Sequence, residues 1–488
     1  MNNKKNLITT AIDYVNASPH LGHALEKISA DVIARYNRLK GDEVLFLAGT
    51  DENSLKNVRA AEKQGIAVNE LVDKYAAEFL ALKSALNLSF DDFIRTTEKR
   101  HVLGTQKLWL ACQHDIFKKS YEGPYCVDCE KFYKERELIN GLCPEHKTKP
   151  ELISEENYFF RLSKYTEQLK EIIEQDKIKI IPETRKNEIL SFINQGLEDI
   201  CFSRSKERAR GWGIDVPDDN SQKIWVWFDA LSNYINALGY ADNSEKFHKW
   251  WQENKNKLHI VGKDILRFHA IYWPAILMSA GLNLPDEIFS HGFIATDGEK
   301  MSKSLGNVIN PLELVKKYDP DAIRYFLLAE FPSSEDGDFS YKKFENRYNG
   351  DLANGIGNLF ERVFTMAIDY GFKYASGDNK IDEKIKDLEE KTSVIYSDKM
   401  DNYKLYEALT SVFSFAKRLD QYINVTEPWR LIRDKNPEAE KVLTTLIFGM
   451  EKIIDWLKPF MPLKIEKAEN YLKNLSGQSE KLNLFPRI

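Results

Sequence analysis

Four donors of the kind that bind zinc stand in the order Cys126-x2-Cys129-x13-Cys143-x2-His146. Two close pairs separated by a loop can bring three thiolates and one imidazole into a tetrahedron, and a site filled entirely by protein is structural. A cluster of reduced cysteines without metal is the plainer alternative. Cys112 and Cys201 have no such neighbours and read as core thiols. A second group is Ser18-Pro19-His20-Leu21-Gly22-His23. Ser18 is a good N-cap and Pro19 a good first helical residue, which puts both histidines in an opening turn. Free backbone N–H groups and the positive end of the helix dipole favour a phosphate there. His20 and His23 share one face, and Gly22 lets a flat ring approach the backbone. A capped helix with two surface histidines satisfies the same letters. A third group, Gly298 to Gly306, carries Lys300 and Lys303 between glycines. It reads as a cationic loop able to close over a polyphosphate, although an isolated pair of this kind is ordinarily a solvated loop.

These residues need a frame. At roughly 150 residues per domain, 488 residues exceed one domain. Hydrophobic residues make 43% and charged residues 30%, a soluble globular usage that excludes collagen-like, disordered and disulfide-stapled chains. With a net charge of −6, a nucleic-acid partner must be held by a local patch rather than by bulk attraction. No apolar run reaches the about 18 residues of a membrane span. The N-terminal stretch turns polar too soon for a signal peptide. Five cysteines, clustered as above, fit a reducing compartment, and a cytoplasmic location is expected.

Leu7 to Ala11 reads as a strand, and Val44 to Ala48 as a strand buried on both faces, with a helical pattern from Pro19 to Lys40 between them. Further strands are expected at Ile224 to Phe228, Leu258 to Val261 and Ile288 to Ser290. From about 346 the period becomes helical. Leu352, Ile356, Leu359, Val363, Met366 and Tyr370 share a face, as do Leu405, Leu409, Val412, Phe415, Leu419 and Tyr422, and again Val442, Leu446, Met450, Ile453 and Leu457. The expected architecture is an α/β Rossmann-like domain, a doubly wound parallel sheet, from segments 1–115 and 222–290. Between them sits an inserted zinc-knuckle domain at 116–221. A connecting region at 291–345 and a C-terminal α-helical bundle at 346–488 follow. Ligands of such sheets collect outside the carboxyl ends of the strands. Four loops should therefore converge, at Asp13-Tyr14-Val15-Asn16, Gly49-Thr50-Asp51-Glu52, Gly262-Lys263-Asp264 and His291-Gly292.

His-Leu-Gly-His near the start of an α/β domain, with Lys-Met-Ser-Lys-Ser at 300–304, resembles the paired signature of class I aminoacyl-tRNA synthetases. Tyr14 to His23, the Gly-Thr-Asp-Glu at 49–52, Trp225 to Ala230 and Gly262-Lys263-Asp264 narrow this. Together they resemble the methionyl-tRNA synthetase family, over nearly the whole chain. Synthetases for leucine, isoleucine or valine carry a large editing insertion for which the space between the halves is too short. A silent tRNA-binding paralogue would show decayed phosphate motifs, and both are intact. A zinc-ribbon nucleic-acid-binding module explains only a small part of the chain.

The resemblance implies that L-methionine and ATP give methionyl-adenylate and pyrophosphate, and that methionine then passes to tRNA(Met), the initiator included. His20, Gly22 and His23, with Gly262, Lys263, Asp264 and Lys303, would bind ATP, which Mg2+ accompanies. Lys300 and Lys303, in the connecting KMSKS and stem-contact region, would meet charge developing on the pyrophosphate. Asp51 would hold the methionine ammonium by a charge-assisted bond. The side-chain pocket falls on Ile12, Tyr14, Trp227, Ala230, Leu231, Tyr234 and His291. Aromatic edges suit a thioether, and size alone discriminates by only ~1–3 kcal/mol, so the polar tips of Tyr14 and His291 are expected to fix the sulfur. Asn358, Arg362 and Trp429 align with anticodon readers that hydrogen-bond and stack on bases; a surface Asn/Arg pair and a buried Trp are the ordinary alternative. The implied complement is one structural Zn2+ per chain, with no DNA or membrane partner. Without the extra C-terminal tRNA-binding domain of longer relatives, a monomer is expected. Asp13 and Asn53 depart from the family pattern, in which proline or an aromatic residue and histidine are usual.

Overall fold

The computed structural model describes residues 4–127, 131–145, 147–300, 307–372, 381–475 and 481–488. The chain divides into two units. The first comprises Met1–Pro19, Asn37–Lys83 and Ser89–His291, and the second His20–Tyr36, Ser84–Leu88 and Gly292–Ile488.

The first unit is built on a seven-stranded sheet. Its strands are β1 (Lys5–Thr10), β2 (Asp13–Tyr14), β3 (Glu43–Asp51), β4 (Asp92–Arg95), β5 (Lys179–Ile181), β6 (Lys257–Gly262) and β7 (Glu287–His291). They run in the order β2-β3-β1-β6-β7-β5, with β4 also on β3, and every pairing is parallel. All six residues of β6 are buried, as are the last four of β1, the pattern of strands covered on both faces. The register sets Thr10 beside Ile260 and Gly262 beside His291, so the carboxyl ends emerge along one edge. This is the Rossmann-like parallel sheet that the sequence pattern predicts.

Two features of this unit differ from the pattern. Edge strand β5 comes from within the segment between the two expected halves, which also holds the antiparallel pair Ile116–Cys126 and Glu151–Phe160. The run Ile224 to Phe228 is not a strand. Asp219–Ile224 pairs antiparallel with Ser203–Ser205, and a helix, Val226–Leu231, starts after Trp225. A short apolar run satisfies a buried strand and a buried helix equally.

In the second unit, Leu405, Leu409, Val412, Phe415 and Leu419 are buried along the helix Leu405–Thr426, and Val442 to Leu457 along Glu438–Leu457, as their spacing predicts. The earlier stripe drifts. A π-helical segment, Tyr348–Gly357, precedes the helix Asn358–Tyr370 and turns its buried face towards Phe360, Phe364 and Ala367, leaving Met366 and Tyr370 only partly covered. Among the described residues no helix is long and apolar enough to cross a membrane.

One buried cation ties this unit together. Arg324, on the helix Pro320–Ala329, lies 2.7 Å from Asp31 and donates to the carbonyls of Leu86 (3.2 Å), Pro459 (2.9 Å) and Phe460 (2.9 Å). Asp31 also accepts from Arg35 Nε at 2.7 Å. Such a pair persists in the interior because nearly every donor is used. Asp321, on the same helix, accepts from the Lys464 backbone N–H at 2.6 Å. Burial outweighs that bond and pushes its carboxyl up to about 6.

The native state therefore holds the Asp321 proton more tightly than the unfolded chain does. The resulting stability is present at acid pH and is lost as pH rises from about 4 to about 6. Asp321→Asn keeps an acceptor for Lys464 and removes the charge. It should raise unfolding stability by ~1–3 kcal/mol at pH 7.5 and change it little at pH 4, read from denaturant midpoints; an equal shift at both pH values contradicts the assignment.

Candidate active site

The strand-end loop after β3 begins from close packing. A Cβ on Gly49 would lie 2.3 Å from the Ile94 carbonyl, so only glycine allows β3 and β4 to approach there. Tyr14 of β2 stands in register with Asp51. Asp51 and Glu52 are both buried. Glu52 accepts from Arg95 Nε (2.6 Å) and Nη2 (3.0 Å), from the Thr50 hydroxyl (2.8 Å) and from the Thr97 hydroxyl. Its hydrogen bond, ahead of other causes, raises the Arg95 guanidinium further above its ordinary range. The loop backbone is pinned as well. Trp212 Nε1 donates to the Glu52 carbonyl (2.7 Å) and Asn57 Nδ2 to that of Asp51 (3.1 Å).

An aromatic cluster belongs to the same unit. Tyr14 meets Trp227 edge-on, with centroids 6.5 Å apart, and Trp227 stacks on Phe268 at 3.5 Å. Ile12, Tyr14 and Trp227 are partly buried against the core; Ala230, Leu231 and Tyr234 lie within it. Hydrogen bonding fixes the histidines beneath. His269 Nδ1 lies 2.9 Å from the Ile265 carbonyl and must donate to it, and Nε2 lies 2.6 Å from the Tyr234 hydroxyl. Trp273 Nε1 donates to His259 Nε2 (3.2 Å), which leaves the His259 proton on Nδ1, facing Thr9 Oγ1 at 2.6 Å. Burial, then His269 and Lys257, holds His259 well below its usual pKa, so it is neutral.

Gly262, Lys263 and Asp264 leave β6 in a tight turn, and His291 ends β7 in register with Gly262. The histidine joined to Tyr234 is His269, which the sequence pattern did not single out. Its signal was the aromatic-rich run Phe268 to Trp273, directly after Gly-Lys-Asp.

In the second unit, the helix predicted from Pro19 begins at Leu21. Ser18 and Pro19 precede it, and His20 takes the cap position, its carbonyl accepting from Ala24 N–H at 3.2 Å. Gly22 N–H donates to His20 Nδ1 and His20 N–H to His23 Nδ1, each at 3.1 Å. The rings stack with centroids 3.6 Å apart. Both Nδ1 atoms accept, so each ring carries its proton on Nε2: a reciprocal cap made by two imidazoles in place of the usual hydroxyl and carboxylate. Lys300 ends the strand Glu299–Lys300; Lys303 lies outside the described residues.

Of the four zinc-type donors, Cys126 and Cys143 are buried in one small cluster with Tyr133, and Cys143 Sγ is 3.6 Å from the Tyr133 hydroxyl. Cys129 and His146 lie outside the described residues, and among the described residues no group of three or more ligating side chains is assembled. Asn358 and Arg362 occupy successive turns of one helix. Trp429, 42% exposed, is on the helix Pro428–Arg433 that packs against it. Trp429 is thus not the buried packing residue of the ordinary alternative. Arg362 is held by Asp420 (2.5 Å) and Asn424 (3.3 Å), and Asn358 lines a cleft of about 490 Å³ with Asn354 and Arg487.

Comparison with known proteins covers the whole of this architecture. The family model "tRNA synthetases class I (M)" matches residues 6–149 and 145–364, and "Anticodon-binding domain of tRNA ligase" matches 382–483. The methionine–tRNA ligase of Clostridium perfringens is 42% identical over 93% of this chain and 71% of its own length. That of Brucella suis is 41% identical over 97% and 92%. A solved Mycobacterium tuberculosis methionyl-tRNA synthetase in complex with methionyl-adenylate superposes with a TM-score of 0.92 at 36% identity, covering 99% of this chain and 100% of that one.

The histidine cap makes a testable claim. A Cβ on Gly22 would stand 2.9 Å from His20 Cε1, so Gly22→Ala must turn the ring away. Imidazole 15N spectra of the parent chain should report Nε2–H tautomers for both rings. The variant should lose that signature at His20, with the ~0.5–2 kcal/mol of a lost cap; an unchanged His20 signal contradicts the cap.

Proposed function

We infer the working of these residues from one premise: the chain belongs to the class I methionyl-tRNA synthetases. It is a methionine–tRNA ligase, and its substrates are methionine, ATP and tRNA. The observation that carries this most directly is the end-to-end likeness to a synthetase solved with methionyl-adenylate.

In the first step a methionine carboxylate oxygen attacks the α-phosphorus of ATP and pyrophosphate leaves. In the second, a hydroxyl of the terminal tRNA adenosine attacks the adenylate carbonyl and AMP leaves. Both displacements need positioning and charge stabilisation more than covalent help. Asp51 holds the ammonium. Ile12, Tyr14, Trp227, Ala230, Leu231 and Tyr234 form the thioether pocket with His291, and to these we add His269 for its bond to Tyr234. His20 and His23 present Nε2–H donors to ATP phosphates beside the flat backbone of Gly22. Gly262, Lys263 and Asp264 complete the nucleotide contacts, and Lys300 and Lys303 meet the charge on the pyrophosphate. Mg2+ accompanies ATP, as it generally does in this reaction. Asn358, Arg362 and Trp429 read the anticodon, of initiator as well as elongator tRNA(Met); the exposure of Trp429 and its neighbourhood with the other two support this.

The proposed domains are the two halves of the catalytic domain at 1–115 and 222–290, the insertion at 116–221, the stem-contact region at 291–345 and the anticodon-binding bundle at 346–488. The insertion is proposed to carry one structural Zn2+ on Cys126, Cys129, Cys143 and His146. The joint burial of two of these thiols is the chemistry such a site needs. A monomer acting in the cytoplasm completes the proposal.

Pyrophosphate exchange screened across the twenty amino acids should respond to L-methionine alone; exchange driven by another amino acid overturns the pocket reading. Lys303→Ala should lower kcat for exchange about 10²–10³-fold and leave methionine binding within about twofold, whereas equal losses remove Lys303 from the transition state. Metal analysis should find about one zinc per chain, released by Cys126→Ser; a folded, metal-free parent chain overturns the knuckle.

A further inference from the structure

We propose that Asn53 is a positioning residue for the amino-group end of the methionine site. It acts through a chain, Asn53–Asp229–His101, whose last two members are buried and which locks the loop bearing Asp51 to the helix bearing Trp227, Ala230 and Leu231. The proposal rests on the reading of Asp51 as partner of the substrate ammonium.

Asn53 directs both hydrogens of its amide. One goes to Asp229 Oδ2 at 2.8 Å and the other to the Thr96 carbonyl at 3.2 Å. Its backbone N–H points to Asp51 Oδ1 at 3.4 Å. One neutral residue therefore stands between two buried carboxylates and orients towards both. Asp229 is 1% exposed, and its other oxygen lies 2.5 Å from Nε2 of the fully buried His101. The Asp229 carboxylate can only accept, so a His101 proton sits on Nε2, directed at it; Asn236 Nδ2 lies 3.4 Å from Nδ1 on the other side of the ring. Asn236 is anchored in turn on the hydroxyls of Thr105 (3.1 Å) and Ser232 (2.8 Å).

A carboxylate taken out of water must have its oxygens satisfied. Asp229 is satisfied on one side by His101 and on the other by the loop itself, through Asn53. Truncating Asn53 removes the donors to Asp229 and to the Thr96 carbonyl, which tie its loop down, and leaves only its backbone N–H towards Asp51. The loop then loses its register on the helix that carries Trp227, Ala230 and Leu231. Binding groups must hold their places to within about 0.5 Å to work, so the loss should fall on the ammonium and spare the thioether.

That asymmetry is the test. The ligands are L-methionine and its des-amino analogue, 4-(methylsulfanyl)butanoic acid, compared through the KM of one and the inhibition constant of the other in pyrophosphate exchange. Asn53→Ala should weaken L-methionine about 10–100-fold and the analogue less than about threefold. Asn53→His, whose ring N–H can reach Asp229, should recover most of the loss. Should the alanine variant not fold, Asp229→Asn must show the same one-sided loss. Equal weakening of both ligands means a merely structural role and overturns the proposal. Asp51→Asn separates the two readings. If it abolishes the preference for the amino group while Asn53→Ala does not, Asp51 keeps its role and Asn53 loses its own; if the preference survives Asp51→Asn, both fall.

Discussion

Two consecutive carboxylates buried at the carboxyl end of β3 impose the main constraint on the first unit. Neither Asp51 nor Glu52 can remain charged there without compensation. Glu52 finds it inside the protein: Arg95 grips it twice, and two threonine hydroxyls take further lone-pair directions. That arrangement needs β4 beside β3, which in turn requires Gly49 at the crossing. Trp212 and Asn57 then fix the backbone carbonyls of Glu52 and Asp51. The loop is consequently rigid before any ligand arrives. Rigidity matters because an ion–ion contact with a substrate ammonium gains most where little has to be ordered on binding.

The aromatic cluster that Tyr14 joins to this loop shows a complementary restraint. Its imidazoles are fixed in orientation: an indole N–H facing His259 Nε2 keeps that ring neutral, and a backbone carbonyl holds Nδ1–H of His269. A protonated ring at His259 would be desolvated and would face His269 and Lys257. In the proposed pocket, discrimination of an apolar side chain rests on shape and aromatic edges, with the Tyr234 hydroxyl held 2.6 Å from His269 Nε2.

Sequence patterns carried information wherever a pattern has one structural solution. Val44 to Ala48 and Leu258 to Val261 are continuous apolar runs, and both lie in parallel strands with their loops at one edge. The stripes from Leu405 and Val442 have a single helical reading. Ile224 to Phe228 has two, and tertiary context selected the helix from Val226. His269 escaped notice because its role depends on Tyr234, thirty-five residues earlier, and on the Ile265 carbonyl, neither of which a local pattern displays. The His-Leu-Gly-His letters pointed to a helix start, but a proline and a serine just ahead suggested a start two residues too early. The imidazoles themselves do the capping that Ser18 was expected to do, a use of histidine that propensity scales do not anticipate.

That cap bears on how positive charge is distributed in the proposed phosphate site. An imidazole whose Nδ1 accepts a backbone N–H cannot be protonated there without breaking the bond that orients it. A second charge on the stacked ring 3.6 Å away would add repulsion, and a helix N-terminus disfavours cations in any case. His20 and His23 are therefore suited to direct Nε2–H donors, not to supply charge. Charge to balance a polyphosphate must come from side chains that need no such precise seat, and lysines meet that requirement because an ammonium acts as a point charge from many orientations. Orientation and charge compensation are thus assigned to different residues. In this arrangement His20 or His23 would govern where the phosphates sit, and Lys300 and Lys303 how well the departing pyrophosphate is stabilised.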